Sequence, residues 1–291
     1  MVNFLIVSIV QLNILHGFCE ETGMTFNTSK TKIMVFKKGG RLSRHENWTY
    51  NGNKIDVVSK FAYVGVSFTS KLSTNIMACE QSVKAKRALI AIMNSLYKCG
   101  QLPSSIFFKL FDTKIKPILI YGSELWGYSQ RDTSEIVQRY ACRRFLCVNQ
   151  KSCVAPVMAE CERFPIYIDT SIRTLKYWLK ILDMPDYRLV KKCYVMLKLF
   201  DENNQTNWVR HIRTLLLSNG FGYVWTNQCV NNKHLFILAF TQRLKDQYLQ
   251  EWNSSLREIT RLNYYSLIKH SYCLNRCAEI LNIRKFRHFY F

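Results

Sequence analysis

Residues 48–58 read Trp48-Thr49-Tyr50-Asn51-Gly52-Asn53-Lys54-Ile55-Asp56-Val57-Val58. Two short runs of strand-forming residues flank Asn51-Gly52, a pair that tolerates positive φ at both centres of a tight turn. The stretch predicts a β-hairpin. Upstream, Thr31-Lys32-Ile33-Met34-Val35-Phe36 alternates polar and apolar side chains, the period of a half-buried strand. Downstream, Phe61-Ala62-Tyr63-Val64-Gly65-Val66-Ser67-Phe68 predicts a further strand. Residues 4–22 predict a helix with apolar positions on more than one face, and Gly23 is placed to close it.

After residue 72 the period changes from two to about 3.6. Helices are expected over 76–97, 103–114, 116–126, 133–148, 171–183, 187–199, 206–218, 233–251, 254–268 and 272–281. Asp201-Glu202-Asn203-Asn204-Gln205 reads as a linker, and Asn219–Asn232 as a second polar break. The expected fold class is α+β. A small α/β unit of one helix and short antiparallel strands spans 1–70. Mostly helical regions follow over 71–200 and 201–291.

The chain has 291 residues, 48% of them hydrophobic and 21% charged, so a sizeable core can be buried and wholesale disorder is excluded. Lys and Arg number 41 against 20 Asp and Glu, a net charge of +21. The excess is densest early, with 16 basic and 4 acidic side chains between residues 30 and 116. A positive field of this size points to a polyanionic partner, most often nucleic acid. The 11 Cys are odd in number and widely scattered, which fits small core residues of a reducing compartment rather than a disulfide scaffold. The apolar run Phe4–Leu15 lacks a basic flank, is interrupted by Ser8, Gln11 and Asn13, and is too short to span a bilayer. The expectation is therefore a cytoplasmic or nuclear protein, neither secreted nor in a membrane. The four Asn-x-Ser/Thr matches, at Asn27, Asn47, Asn204 and Asn253, are what an Asn-, Ser- and Thr-rich chain produces by chance.

Several chemistries are missing. There is no Asp-Asp dipeptide, no P-loop, no His-Glu-x-x-His, no Gly-x-Ser-x-Gly and no dinucleotide-binding fingerprint. Nucleotide transfer needs two or three carboxylates around paired divalent metals. The close acidic sets, Glu20-Glu21, Glu160-x-Glu162 and Asp183-x-x-Asp186, are read as solvated surface. His270, Cys273 and Cys277 have helical spacing without a second ligand pair, so they read as a helix face and not a zinc site. Taken alone, these features describe a nucleic-acid-binding module with no catalytic centre and no metal or cofactor of its own.

The order of certain motifs adds a resemblance. Phe18-Cys19-Glu20, then Gly23-Met24-Thr25-Phe26-Asn27 and Lys30-Thr31-Lys32-Ile33-Met34-Val35-Phe36, resembles palm motif D of the reverse transcriptases of LINE-type non-LTR retrotransposons. Phe61-Ala62-Tyr63-Val64-Gly65-Val66 resembles motif E, the primer grip, with Val64 where that family usually has Leu. Lys84-Ala85-x-Arg87-Ala88-Leu89 and the run from Leu110 to Gly127 resemble the thumb region. The stretches Gln242–Trp252 and Ile283–Arg287 resemble the post-thumb helices.

The resemblance implies a palm remnant over 1–70, a helical thumb over 71–200 and a connector over 201–291. The parent activity would be RNA-templated DNA synthesis with Mg²⁺. The fingers and the palm motifs bearing the metal-binding Asp residues would lie upstream of this chain, as a missing palm and fingers segment that could act as its partner. Lys30 matches the motif D lysine, and without an Asp cluster it is at most a phosphate contact or else a solvated strand-edge lysine. Lys32 lies beside it. Tyr63 and Gly65 occupy the primer-grip position, where Gly65 lets a backbone come close or only marks a bulge. Lys84, Lys86 and Arg87 are candidates for contacts to a duplex backbone, and Arg143 and Arg144 for further ones. The expected partner is RNA, DNA or an RNA/DNA hybrid. The alternative is a non-enzymatic, host-domesticated binding or adaptor protein derived from the same source.

Overall fold

The computed structural model describes residues 2–27, 29–37, 40, 48–96, 103–128 and 131–274, with side chains for all of these but 2–11 and 131. Expectations placed on Asn47, Tyr97, Cys277 and Ile283–Arg287 lie outside the described residues. The fold is mixed α+β with a mostly helical C-terminal part. The chain divides into two compact units, residues 1–77 and 78–291.

In the first unit α1 (Val2–Thr22) ends where Gly23 adopts φ +65°. The Met24 N–H there donates to the Cys19 carbonyl at 2.9 Å. This is the left-handed helix stop that glycine allows at least cost. Strands β1 (Lys32–Ile33), β2 (Trp48–Tyr50) and β3 (Asn53–Val57) form one sheet in the order β1-β3-β2. β2 and β3 are antiparallel around Asn51 and Gly52, whose φ values of +44° and +75° are the pair a two-residue hairpin requires. β1 pairs parallel to β3, so the expected purely antiparallel set is corrected, and only two of the residues 31–36 form a strand. A small core of Trp48, Tyr50 and Ile55 is capped by Leu12 of α1 and by Phe26, whose ring stacks on Tyr50 at 4.1 Å.

The single strand expected over 61–68 is two. β4 (Lys60–Tyr63) and β5 (Val66–Thr69) form an antiparallel hairpin, with Phe61 opposite Phe68 and Tyr63 opposite Val66. Val64 and Gly65 make the turn at φ +47° and +79°. A β-branched residue is strained there, which is why the apolar run disguised the turn.

The second unit takes in α2 (Thr74–Leu96) from Ala78 onward and α3 (Ser104–Leu110), followed by a π-helical segment, Phe111–Ile115. Next come α4 (Lys116–Leu119), α5 (Ser123–Trp126) and α6 (Arg131–Leu146). The expected helices 103–114 and 116–126 are thus reshaped for two physical reasons. Pro117 has no N–H to give and its ring crowds the preceding turn, so the backbone widens before it. Gly122, at φ +72°, then breaks the second helix. Helix α7 (Val154–Glu160) was not anticipated; its Pro156-Val157-Met158-Ala159 is fully buried and carries no amphipathic period.

Beyond it lie α8 (Ile166–Leu182), α9 (Leu189–Glu202), α10 (Trp208–Ser218) and α11 (Gly222–Asn227), the last inside the expected polar break. α12 (Lys233–Glu258) runs seven residues past its expected end, and a 3₁₀ turn (Thr260–Leu262) leads into α13 (Asn263–Ile268). Residues 272–274 are not helical. Two large apolar clusters lie in this unit, beside a smaller one of Ala159, Trp252, Leu256 and Leu262. Of the large two, one joins α2, α3, the π-helical segment and α6 around Phe111, Ile115 and Phe145; the other joins α8 to α12 around Trp178, Ile212 and Phe240.

Asp201–Gln205 is not a linker. Asp201 is buried and takes ion pairs from Arg210 at 3.2 Å and Arg213 at 3.0 Å, which ties α9 to α10. The expected boundary at 200/201 falls inside α9.

α5 meets α8 through almost bare backbone. A Cβ on Gly127 would lie 2.6 Å from the Ser123 carbonyl oxygen and 2.7 Å from the Thr170 Cβ. Gly127→Ala should therefore lower the stability of the second unit by about 1–3 kcal/mol, read as a fall in the urea midpoint at unchanged slope. Val64→Asn should slow hydrogen exchange at Ala62 and Ser67, because relief of the left-handed valine is worth about 1 kcal/mol and Val64 is too exposed to lose packing.

Candidate nucleic-acid interface

The expected site residues fall in both units. In the first unit the Lys30 N–H bonds to the Asn27 side chain at 3.0 Å, in the turn before β1, and its own side chain is exposed. Lys32 is engaged differently: its ammonium bonds Asp56 at 2.6 Å and holds that carboxylate below its ordinary range. Its charge is thus largely compensated. Tyr63 is 64% exposed at the end of β4. Gly65 serves the turn, so its glycine is required by backbone conformation alone. Beside this hairpin Met34, Phe36, Val58, Phe61, Tyr63 and Phe68 line an open apolar groove of about 270 Å³ with Lys32 at its rim.

On α2 the three cations do not share a face. At about 100° per residue, Lys86 stands far round the helix from Lys84, while Arg87 sits between them on the outer side. The buried stripe Ala78, Gln81, Ala85 and Leu89 separates Lys84 from Lys86. The Lys86 ammonium lies over the Tyr140 ring of α6, 5.4 Å from its centroid.

α6 therefore gathers the second set. Its inner side is Ser134, Val137, Gln138, Ala141, Cys142 and Phe145, all buried. Its outer side is Ile136, Tyr140 and Arg143, flanked by Arg139 and Arg144. One Arg143 terminal nitrogen donates to the Ser152 carbonyl at 2.8 Å, which fixes the side chain along the helix. Burial, and then the neighbouring Arg139, push the Arg143 guanidinium pKa down. Arg139 was visible in the sequence as a basic residue one turn before Arg143. What was missed is that this i, i+4 spacing repeats one charge on one stripe.

The carboxylates are distributed singly. Asp112 pairs with Arg163, Glu124 with Arg173, Asp169 with Lys116 and Asp183 with Lys233. Glu160 was read as solvated surface; it is buried, accepts from the Tyr265 hydroxyl at 2.8 Å and lies 3.4 Å from the buried Lys269 ammonium. Among the described residues no group of three or more His, Cys, Asp or Glu is placed to hold a metal ion. The paired carboxylates named above, set singly along the unit and each held by a cation, do not fit a pair of magnesium ions. Among the described residues, too, no helix is long and apolar enough to cross a membrane. No known family model, curated protein or solved structure matches the chain.

Glu135 shows how burial rather than chemistry sets a pKa here. It is buried on α6 and accepts the Tyr167 N–H at 2.9 Å, capping α8 from a neighbouring helix. Burial pushes its pKa up to about 7, against the lowering pull of that bond and of Arg139. A carboxyl whose folded pKa is raised contributes stability that is complete below its unfolded value near 4.5 and is lost as pH rises to about 7. Unfolding measured at pH 5 and at pH 8 should show the wild type losing on the order of 3 kcal/mol relative to Glu135→Gln, whose stability is flatter across that window.

Proposed function

We propose that this chain is the C-terminal part of a retrotransposon reverse transcriptase. In this reading it binds nucleic-acid backbone and does not join nucleotides on its own. The observation that carries the binding half is the charge: +21 overall, with Asp112, Glu124, Glu160, Asp169 and Asp201 taken up by cations of the same unit and Lys86, Arg139 and Arg143 left outside any ion pair among the described residues. The ordered resemblance supports the family half. It puts Lys30 and Tyr63 beside a primer, and Lys84, Lys86 and Arg87 along a duplex. The parent reaction is RNA-templated DNA synthesis, with Mg²⁺ held by carboxylates of a partner palm segment and not by this chain. The cysteine usage favours a cytoplasmic or nuclear setting.

The first unit supports the need for such a partner. Phe61, Tyr63 and Val64 are exposed on one small hairpin, and Phe36 is exposed in the segment beyond β1 that lines the same groove. A two-stranded hairpin is marginal by itself, and an apolar groove beside it calls for cover. A palm sheet would cover it.

Primer extension with the purified chain, a primed RNA template, deoxynucleotides and Mg²⁺ should give no incorporation above a protein-free blank. Binding to an RNA/DNA hybrid should be present at about 50 mM salt and fall steeply by about 200 mM. Incorporation that copurifies with the chain would overturn the inactivity, and absence of binding at the lower salt would overturn the nucleic-acid reading.

A further inference from the structure

We propose that the outer side of α6, with Lys86 of α2 beside it, is the seat of a nucleic-acid phosphodiester backbone, contacted by Lys86, Arg139 and Arg143. The inference rests on the nucleic-acid reading above and names where the contact is made.

Three observations converge on this stripe. First, Arg139 and Arg143 repeat positive charge one turn apart, an arrangement that costs an isolated helix stability. Arg139 is close enough to disfavour the charge on Arg143. Second, the acids on the packed elements offset the two arginines only in part, through the pull of Arg139 on Glu135. Glu135 of the same helix is buried and about half protonated near neutrality, and it faces the α8 N-terminus. Asp169 of α8 is paired with Lys116, and Asp112 with Arg163. Third, the cations are held rather than free to wander. Arg143 is fixed on the Ser152 carbonyl, and Lys86 is set on the Tyr140 ring. Held cations without a counter-ion suit a ligand that brings evenly spaced negative charge, because little ordering remains to be done on binding. Ile136, exposed at the N-terminal end of the stripe, offers an apolar surface and no competing acceptor.

The same geometry divides the α2 cations. Only Lys86 reaches this stripe, so a backbone lying on α6 engages one of the three residues that the sequence groups together.

The test compares variants of equal charge in the full chain. The double variant Lys86→Gln/Arg139→Gln loses two positive charges from the stripe. Lys176→Gln/Lys180→Gln loses two from exposed positions on α8. Affinity for a fluorescein-labelled RNA/DNA hybrid is titrated at several salt concentrations, with circular dichroism melts to confirm folding. The stripe variant should bind at least tenfold more weakly, with the log–log salt slope reduced by about 2. The α8 variant should stay within about twofold. Ile136→Glu, which adds a carboxylate and removes no contact of either arginine, should weaken binding similarly and keeps the test sound if the double variant folds poorly. Equal losses in the two double variants would mean that affinity follows net charge alone, and the α6 seat would be overturned while nucleic-acid binding stood. No binding by the wild type would overturn both.

Discussion

The second unit depends on a contact that has no side chain on one of its two sides, Gly127 at the end of α5. Gly127 brings the backbone at the end of α5 against α8, and two buried hydroxyls complete the join: Thr170 donates to the Gly127 carbonyl at 3.0 Å and Thr174 to the Ser123 carbonyl at 3.1 Å. The Ser123 carbonyl also accepts the Gly127 N–H at 2.6 Å, so the short helix and α8 share one acceptor. Ile166, at the start of α8, belongs to the first apolar cluster, and Ile168 and Trp178 belong to the second. The seam therefore sets the register between the two clusters. Arg173 on Glu124 and the Trp208 indole on the Glu124 carbonyl extend it towards α10.

The charge pattern follows from how this unit is stapled. Long helices joined by short turns leave few places for a buried acid, and those present sit at helix–helix corners. From buried positions Asp201 holds α9 to α10 and Glu160 holds α7 to the segment around α13, and the partly exposed Asp112 holds the π-helical segment to Arg163. Each such acid takes one or two cations inward. Buried pairs of this kind fix which surfaces meet more than they add net stability. With twice as many cations as acids in the chain, the remainder is forced outward. The field attributed to a polyanionic partner is thus concentrated by packing and not spread evenly.

Much of this was legible and some was not, for reasons that can be named. Asn51-Gly52 announced its hairpin because both residue types tolerate left-handed backbone, whereas Val64-Gly65 performs the same turn with a valine that reads as strand. The long amphipathic helices showed through their period; α7 did not, because a helix buried on every side has none. Asp201 looked like linker because polarity was taken for exposure, and only the third dimension supplies Arg210 and Arg213. For the candidate interface, Lys86, Arg143 and Arg144 could be named from sequence. The separation of Lys86 from Lys84 follows from spacing along α2, but its grouping with the α6 arginines does not, because that depends on Tyr140 lying beneath Lys86. Lys32 illustrates the converse: strand pairing brings Asp56 to it, since β1 lies parallel to β3 with Lys32 opposite Asp56.

The two units differ in how complete they are. The second buries large side chains such as Trp126, Trp178 and Phe240 fully. The first centres on a small cluster of Trp48, Tyr50 and Ile55 and leaves Phe18, Phe36, Phe61 and Tyr63 exposed. Its β4–β5 hairpin has exposed side chains along the whole of β4, so the ladder and one strained turn are held by few apolar contacts. A sheet of this size does not stabilise itself well in water. Natural sheets protect their edges with charge, bulges or cover, and here Phe36 and Tyr63 sit where a protected edge would carry lysine. An apolar groove beside an open hairpin is therefore better explained as half of an interface than as a finished surface, and this physical incompleteness points in the same direction as the resemblance to a palm that meets further strands.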